Sequence, residues 1–491
     1  MLAPLHWPAL AVAIPFLAAA LTAMGGRRTA VIAALVVTPV LLALSLALCV
    51  EVAASGPMRH SLGGWGAPLG IDLYVDGLGA LLLLLTAVVT GATTFYALVY
   101  PELRKEGGAS GLSHFWPLWF FLWASMNALF VSADAFNLYI TLEILTLAAV
   151  ALVAFKREVE VYVAAMRYLL AALLGSLTYL LGVALLYGEA GALDLFEIAE
   201  RIEPGPLVWL AAALMTLGLL LKTALFPFHF WLPPAHANAP SPVSAVLSAL
   251  VVKASFYLLL RLWTLPFGGA LDLGAWHFLG VLGAGAILWG GVQALRAERM
   301  KLVVAYSSIG QLGYLFLFFP LAASGALARA WEGALLHLLA HGLAKAAAFL
   351  AAGNVLVALG SDRLSELPAI RLHLQVSLFA FALAAVSLMG LPPSGGFVAK
   401  WLLLTAALES GQWWIAAVLL GGSALAAGYF FRVLRVCMQS QQRGGPLMRS
   451  VPRGLEFTAL GLAVLAIMLG LLAAWPLALL EASIPTWRGA G

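Results

Sequence analysis

Charge is scarce in this chain. Only 10% of its 491 residues are Asp, Glu, Lys or Arg, whereas the surface of a soluble domain carries roughly 25–35%. No ordinary aqueous surface can be built from such a sequence. Cysteine is scarcer still: Cys49 and Cys437 are the only two, and both lie in apolar runs. That excludes a disulfide framework and any metal site with cysteine spacing. The net charge of +4 and pI near 9.1 come from bases scattered singly or in pairs, so nucleic acid is excluded as a partner. Phosphate loop, haem motif, iron–sulfur spacing and nucleophile elbow are all missing. No cofactor and no metal are expected, and no redox or hydrolytic site of the chain's own.

What is abundant is hydrocarbon. Hydrophobic residues make up 63% of the chain and the mean hydropathy is +1.00. A bilayer core about 30 Å thick takes roughly 20 apolar residues per spanning helix. Such runs fall at 4–24, 29–53, 74–100, 114–133, 134–155, 161–188, 205–228, 240–264, 275–296, 300–320, 327–357, 371–409, 411–438 and 454–480. The expected fold class is an all-α polytopic membrane protein of about fourteen transmembrane helices. The first run has no basic residue before it and ends at Gly25, Gly26, Arg27 and Arg28, the reverse of a cleavable signal, so it should be retained. Assigned alternately to the two sides, the odd-numbered loops hold Arg27, Arg28, Arg104, Lys105, Lys156, Arg157, Arg296, Arg299, Lys301, Arg363, Arg435, Arg443, Arg449 and Arg453. The even-numbered loops hold little beyond Arg59 and Arg201. Basic loops stay in the cytoplasm, which predicts an inner (plasma) membrane protein with both termini outside.

Two runs are interrupted. Pro227 follows Lys222 and Phe226 in the seventh, and Leu391, Pro392, Pro393, Ser394, Gly395 and Gly396 cut the twelfth. Proline removes a helix hydrogen bond, and inside lipid the freed carbonyl must find protein or water. Broken segments five apart predict two inverted five-helix repeats, segments 4–8 and 9–13, because an odd offset reverses direction. The chain then divides into residues 1–113 with three helices, a first proton-channel repeat at 114–264, a second at 275–438, and the last helix at 439–491.

The remaining signal is ionisable side chains far from the ends of these runs. An acid or base at mid-bilayer costs about 2.5–3.5 kcal/mol even on the lenient insertion scale, so each needs a partner, a water cavity or a function. Glu143 lies in the fifth segment, Lys222 just before the break of the seventh, Lys253 in the eighth and Lys400 after the break of the twelfth. His337, His341 and Lys345 follow at i, i+4 and i+8, on one helix face. No carboxylate or thiol on that face completes a metal site with the histidines. A buried lysine with a movable acid partner can hold or release a proton, so Glu143 and Lys222 form a candidate switch with Lys253 a candidate acceptor. A permanent ion pair is the alternative for that pair. It leaves Lys253, Lys345 and Lys400 unexplained. Asp76 and Asp134 read as helix caps, Arg167, Arg261 and Arg432 as snorkelling or paired bases, and Glu332 as a feeder for the histidine row. The glycines at 280, 283, 285, 290, 291, 310 and 313 read as close helix packing.

These residues resemble those of a known family. The stretch from Lys222 through Pro227, His229, Trp231, His236 and Pro242 to Ala245, followed by Lys253 and Tyr257, is similar to the antiporter-like subunits shared by Mrp-type cation/proton antiporters, respiratory complex I and membrane-bound hydrogenases. The second break with Lys400, and the row His337, His341 and Lys345, match further family motifs. The residues at 62–71 are similar to the D-type member of Mrp assemblies, whereas those at 235–240 look more like complex I and hydrogenase subunits. Ser255 stands where the family commonly has glycine. The chain ends soon after the fourteenth segment without a long lateral helix, which speaks against the largest complex I antiporter-like subunit. The resemblance implies a proton relay from Glu143 and Lys222 through Lys253 and the histidine row to Lys400. It also implies partners: other membrane subunits, protons and a monovalent cation such as sodium. The implied alternatives are a subunit of a cation/proton antiporter and a proton-pumping subunit of an NADH:quinone reductase or hydrogenase.

Overall fold

Backbone amides and carbonyls in lipid have no water to bond, so each apolar run closes its hydrogen bonds within itself as a helix. A computed structural model of the chain describes residues 6–101, 103, 108–156, 158–367, 374–438 and 449–484. Arg104, Lys105, Arg157 and Arg443 lie outside the described residues, and so does the Arg27 side chain. The helices are α1 (Trp7–Met24), α2 (Arg27–Ser55), α3 (Gly77–Val99), α4 (Gly108–Val131), α5 (Ala135–Val153), α6 (Val159–Ala190), α7 (Leu195–Arg201), α8 (Pro206–Thr223) and α9 (Leu232–Asn238). They continue as α10 (Ser241–Thr264), α11 (Leu273–Arg296), α12 (Met300–Ala323), α13 (Leu327–Leu359), α14 (Gln375–Met389), α15 (Gly395–Glu409), α16 (Trp413–Met438), α17 (Arg453–Leu471) and α18 (Ala474–Glu481). Among the described residues, twelve helices are by themselves long and apolar enough to cross a membrane. The chain is a multi-pass membrane protein.

A hairpin between α2 and α3 lies outside this plan. Strand β1 (Met58–Ser61) pairs antiparallel with β2 (Asp72–Val75). Arg59 on β1 bonds Asp72 and Asp194, each at 2.7 Å, and so ties the hairpin to the start of α7. Asp76 and Asp134 are N-caps as expected: their carboxylates accept from the amides of Gly79 at 2.9 Å and Asn137 at 2.6 Å. Asp76 does more than cap, because Arg261 from α10 bonds its carboxylate. Lys301, counted above with the loop bases, is instead buried, and its ammonium donates to the Ala239 carbonyl at 2.6 Å.

Enclosure separates the helices into a centre and a rim. All of the apolar stretch of α10 is buried, and 89% of those of α12 and α13, against 28% for α17 and 33% for α1. Rim helices turn leucine, valine and phenylalanine outward, as the lipid-facing side of a bundle must. The expected glycine contacts are present. Gly283 and Gly313 face each other across α11 and α12, with no room for a side chain on either. Gly175 on α6 and Gly218 on α8 do the same, where a Cβ at Gly175 would lie 2.7 Å from the Gly218 carbonyl.

Both interrupted runs are broken. Helix α8 stops at Thr223, where Ala224 turns left-handed at φ 55°, and α9 resumes after a short turn. Helix α14 stops at Met389 with Gly390 at φ 81°, and α15 restarts at Gly395. At 15 residues each, α14 and α15 are too short to span about 30 Å alone at 1.5 Å per residue.

Candidate functional site

The Gly175 and Gly218 crossing brings α6 and α8 backbone to backbone, and Lys222 lies one turn beyond it. Its ammonium donates to the Glu143 carboxylate at 3.0 Å and to the Thr146 hydroxyl at 2.8 Å, both on α5. Ser176 on α6 donates to the same Glu143 oxygen. Lys222 is 5% exposed, while the Glu143 side chain retains 17%. The predicted pair is therefore formed, at the last turn of a broken helix. The break itself is braced: the indole of Trp231 donates at 2.9 Å to the Leu221 carbonyl, which also accepts from the Ala224 amide, and stacks on Tyr168 with ring centroids 4.2 Å apart.

Lys253 meets no carboxylate among the described residues. Residues Leu247–Val251 of α10 form a π turn, a distortion that appears often at functional sites because it frees backbone carbonyls. The ammonium takes two of them, Ser248 at 3.1 Å and Ala249 at 2.6 Å. Ser248 in turn shares a hydrogen bond with Ser308 of α12 at 2.8 Å. Lys253 lies within electrostatic range of both His341 and Lys345.

The row on α13 is buried along its whole length, and the rings of His337 and His341 lie parallel, 5.7 Å apart. His337 Nε2 is 3.1 Å from the Gln311 carbonyl; a carbonyl only accepts, which puts the hydrogen on Nε2. His337 Nδ1 and both nitrogens of His341 have no protein partner among the described residues. Lys345 donates to the Ser307 hydroxyl at 2.8 Å and to the Val304 carbonyl. Glu332, the expected feeder, is half-buried with Arg329 and Glu481 as its charged neighbours.

Lys400, on the far side of the second break, reaches back to the carbonyls that the break frees, Leu388 at 2.9 Å and Met389 at 3.3 Å, and to Ser423 at 3.3 Å. The Gln311 side chain donates to the same Leu388 carbonyl at 3.0 Å, and Tyr314 lies between His337 at 5.3 Å and Lys400 at 4.3 Å. Gln311 and Tyr314 thus join the row to Lys400. No hydrogen bond joins Lys222 to Lys253 among the described residues.

Sequence reasoning missed His236, although it lies in a quoted motif. It is fully buried, neither ring nitrogen has a protein partner among the described residues, and it stacks on Phe349 at 4.7 Å, the ring that also faces Lys345 at 5.1 Å. The linking residues Thr146, Ser176, Gln311 and Tyr314 were missed as well, because polar residues of this size are common in membrane helices.

The profile of the family described as "NADH:quinone oxidoreductase/Mrp antiporter, TM" matches residues 132–426, more than half of the chain. The chain belongs to this family. One family member, the N subunit of the NADH-quinone oxidoreductase of Desulforudis audaxviator, is 37% identical over 84% of this chain and 81% of its own. The D-type component of the Na(+)/H(+) antiporter of Alkalihalophilus pseudofirmus is 28% identical over 82% of this chain and 80% of its own. Among solved structures, a chain of the Mrp complex from a Dietzia species superposes with a TM-score of 0.88 at 26% identity, covering 97% of both chains.

Proposed function

We propose that this family member is the proton-translocating, antiporter-like subunit of a multisubunit monovalent cation/proton antiporter, with sodium as the cation. The observation that carries the reading is the pair of Lys222 and Glu143 at the end of a broken helix: of Lys222, Lys253, Lys345 and Lys400, it is Lys222 that meets a carboxylate. Two unit charges 4 Å apart interact by roughly 4 kcal/mol at an effective dielectric of 20. Closing or opening the pair therefore changes the hold on the Lys222 proton strongly. Lys253, Lys345 and Lys400 are held by carbonyls and hydroxyls, which accept hydrogen bonds without supplying a counter-charge. Such a row favours passing one proton along over holding several. The route runs from Glu143 and Lys222 to Lys253, along Lys345, His341 and His337, and through Gln311 and Tyr314 to Lys400.

The two breaks, each with a left-handed residue at the end of its first half, support residues 114–264 and 275–438 as inverted five-helix repeats flanked by 1–113 and 439–491. The basic bias of alternate loops supports an inner-membrane location with both termini outside. A second reading, a proton-pumping subunit of a quinone-reducing complex, is favoured by the 37% identity to the N subunit of such a complex, against 28% for the antiporter component.

The test is transport by the complete assembly carrying Glu143→Gln or Lys222→Ala. Each variant is expected to accumulate in the membrane and to abolish proton movement. Full transport by both would remove the pair from the mechanism, and failure to accumulate would favour a purely structural ion pair.

A further inference from the structure

Beside the first break lies a cavity of about 820 Å³ between α8, α10 and α11. Its walls include Trp209, Leu220, Phe228, Trp263 and Leu282. The lining is mostly apolar, and its polar side chains have protein partners: Trp209 donates to the Ala270 carbonyl at 2.9 Å, Trp263 to the Thr216 hydroxyl at 2.9 Å, and the Asp272 carboxylate, at the loop end, caps Ala275 at 3.0 Å. Water in such a space would lack the two to four polar partners it needs. Left empty, the space would forfeit the dispersion contacts of its whole lining. The occupant is therefore apolar.

Shape identifies it further. The cavity opens sideways, where Trp209, Leu217 and Phe278 are 51%, 40% and 60% exposed on the outer surface of the bundle. One end lies at the 265–272 loop and the other at Pro227 and Phe228. The α8 wall from Trp209 to Leu220 measures about 16 Å at 1.5 Å per residue, close to half of a hydrocarbon core of about 30 Å. The slot thus starts at one membrane surface and stops near the midplane, the reach of one chain in one leaflet. We propose that it is a binding site for a phospholipid acyl chain, whose methyl end rests against the break between α8 and α9. The filled slot then braces Phe228, four residues beyond the left-handed turn at Ala224.

Photolabelling of the complete assembly in nanodiscs tests this. Two phosphatidylethanolamine probes are compared, one with a diazirine at the methyl end of a chain and one with it near the glycerol. The first should label Leu220 and Phe228, the second Trp209 and Ala275, both more strongly than the lipid-facing α2 residues Leu35 and Val36. Ala213→Trp, which closes the lateral mouth, and Leu282→Trp, which fills the slot, should each lose this labelling and keep that on α2. Should a tryptophan variant fail to accumulate, Leu282→Phe replaces it. Labelling no stronger than on α2, identical patterns from the two probes, or labelling unchanged by filling would overturn the assignment. So would labelling seen only in the isolated chain, which would mean that a neighbouring subunit fills the slot.

Discussion

At the scale of single residues, the buried amines differ in what answers them. Lys222 meets a carboxylate, Lys253 the carbonyls of a π turn, Lys345 a hydroxyl and a carbonyl, and Lys400 the carbonyls of a broken helix. The four positions were legible because a charge inside an apolar run has no bland explanation, whereas their partners are small polar residues that carry no such signal. Outside the membrane, Asp72 has its own chemistry. Burial raises its pKa, but hydrogen bonds from Ser61 and Arg59 and the Arg59 charge outweigh this and hold it below its ordinary value of 3.8. A depressed carboxylate stabilises the fold at pH above its unfolded pKa, and that contribution disappears as pH falls through the lower folded one. Protection of the β1 and β2 amides, taken as exchange relative to the intrinsic rate at each pH, should therefore persist down to about pH 4 and fall below it. In Arg59→Ala the fall should begin at higher pH. An identical profile in both proteins would show that Arg59 does not set the Asp72 titration.

At the scale of elements, breaks and crossings position the chemistry. A continuous α8 would bond the Leu221 carbonyl to the amide four residues on; at the break it accepts from Ala224 at 3.2 Å and from the Trp231 indole, and Lys222 is left on the last turn. The crossing of α6 and α8 sets the distance across the pair, since Lys222 reaches α5 only where the backbones touch at Gly175 and Gly218. Overpacking typically costs about 1–3 kcal/mol, and backbone blocks both sides here. Gly218→Val should therefore lower the amount of protein in the membrane and its thermal midpoint, while Gly421→Ala, whose Cβ would meet nothing within 4 Å, should change neither. Equal midpoints for the two variants would show that α6 and α8 can separate freely.

At the scale of the molecule, the relay lacks an obvious drive. An equilibrium shifts only through a differential interaction with its two states. No nucleotide or redox motif appears in the sequence to supply one, and no cluster of carboxylates in the central segments offers the several oxygen ligands that a hard cation wants. The drive is then expected from neighbouring subunits. In liposomes with an internal pH dye, the isolated chain should show no sodium-driven proton movement and the full assembly should. Robust exchange by the chain alone would refute this. Orientation is the companion expectation: reporters fused at the loops of Arg104, Lys156 and Arg299 should read cytoplasmic, and periplasmic signals at two of them would reverse the topology.

The sequence by itself determined the class of this protein. Helix formation in lipid is a local requirement, met within each run by its own backbone, so segments, breaks and misplaced charges could be read one after another. Tertiary structure decided the partners. Thr146 and Ser176 beside Glu143, Gln311 between His337 and Lys400, His236 beside Phe349, and Arg261 on Asp76 all depend on where helices distant in sequence cross. Those crossings are set by whole faces packing together. Even the Arg59 hairpin belongs here: four-residue strands carry little pattern of their own, and it takes Asp194, 135 positions away, to hold one of them in place.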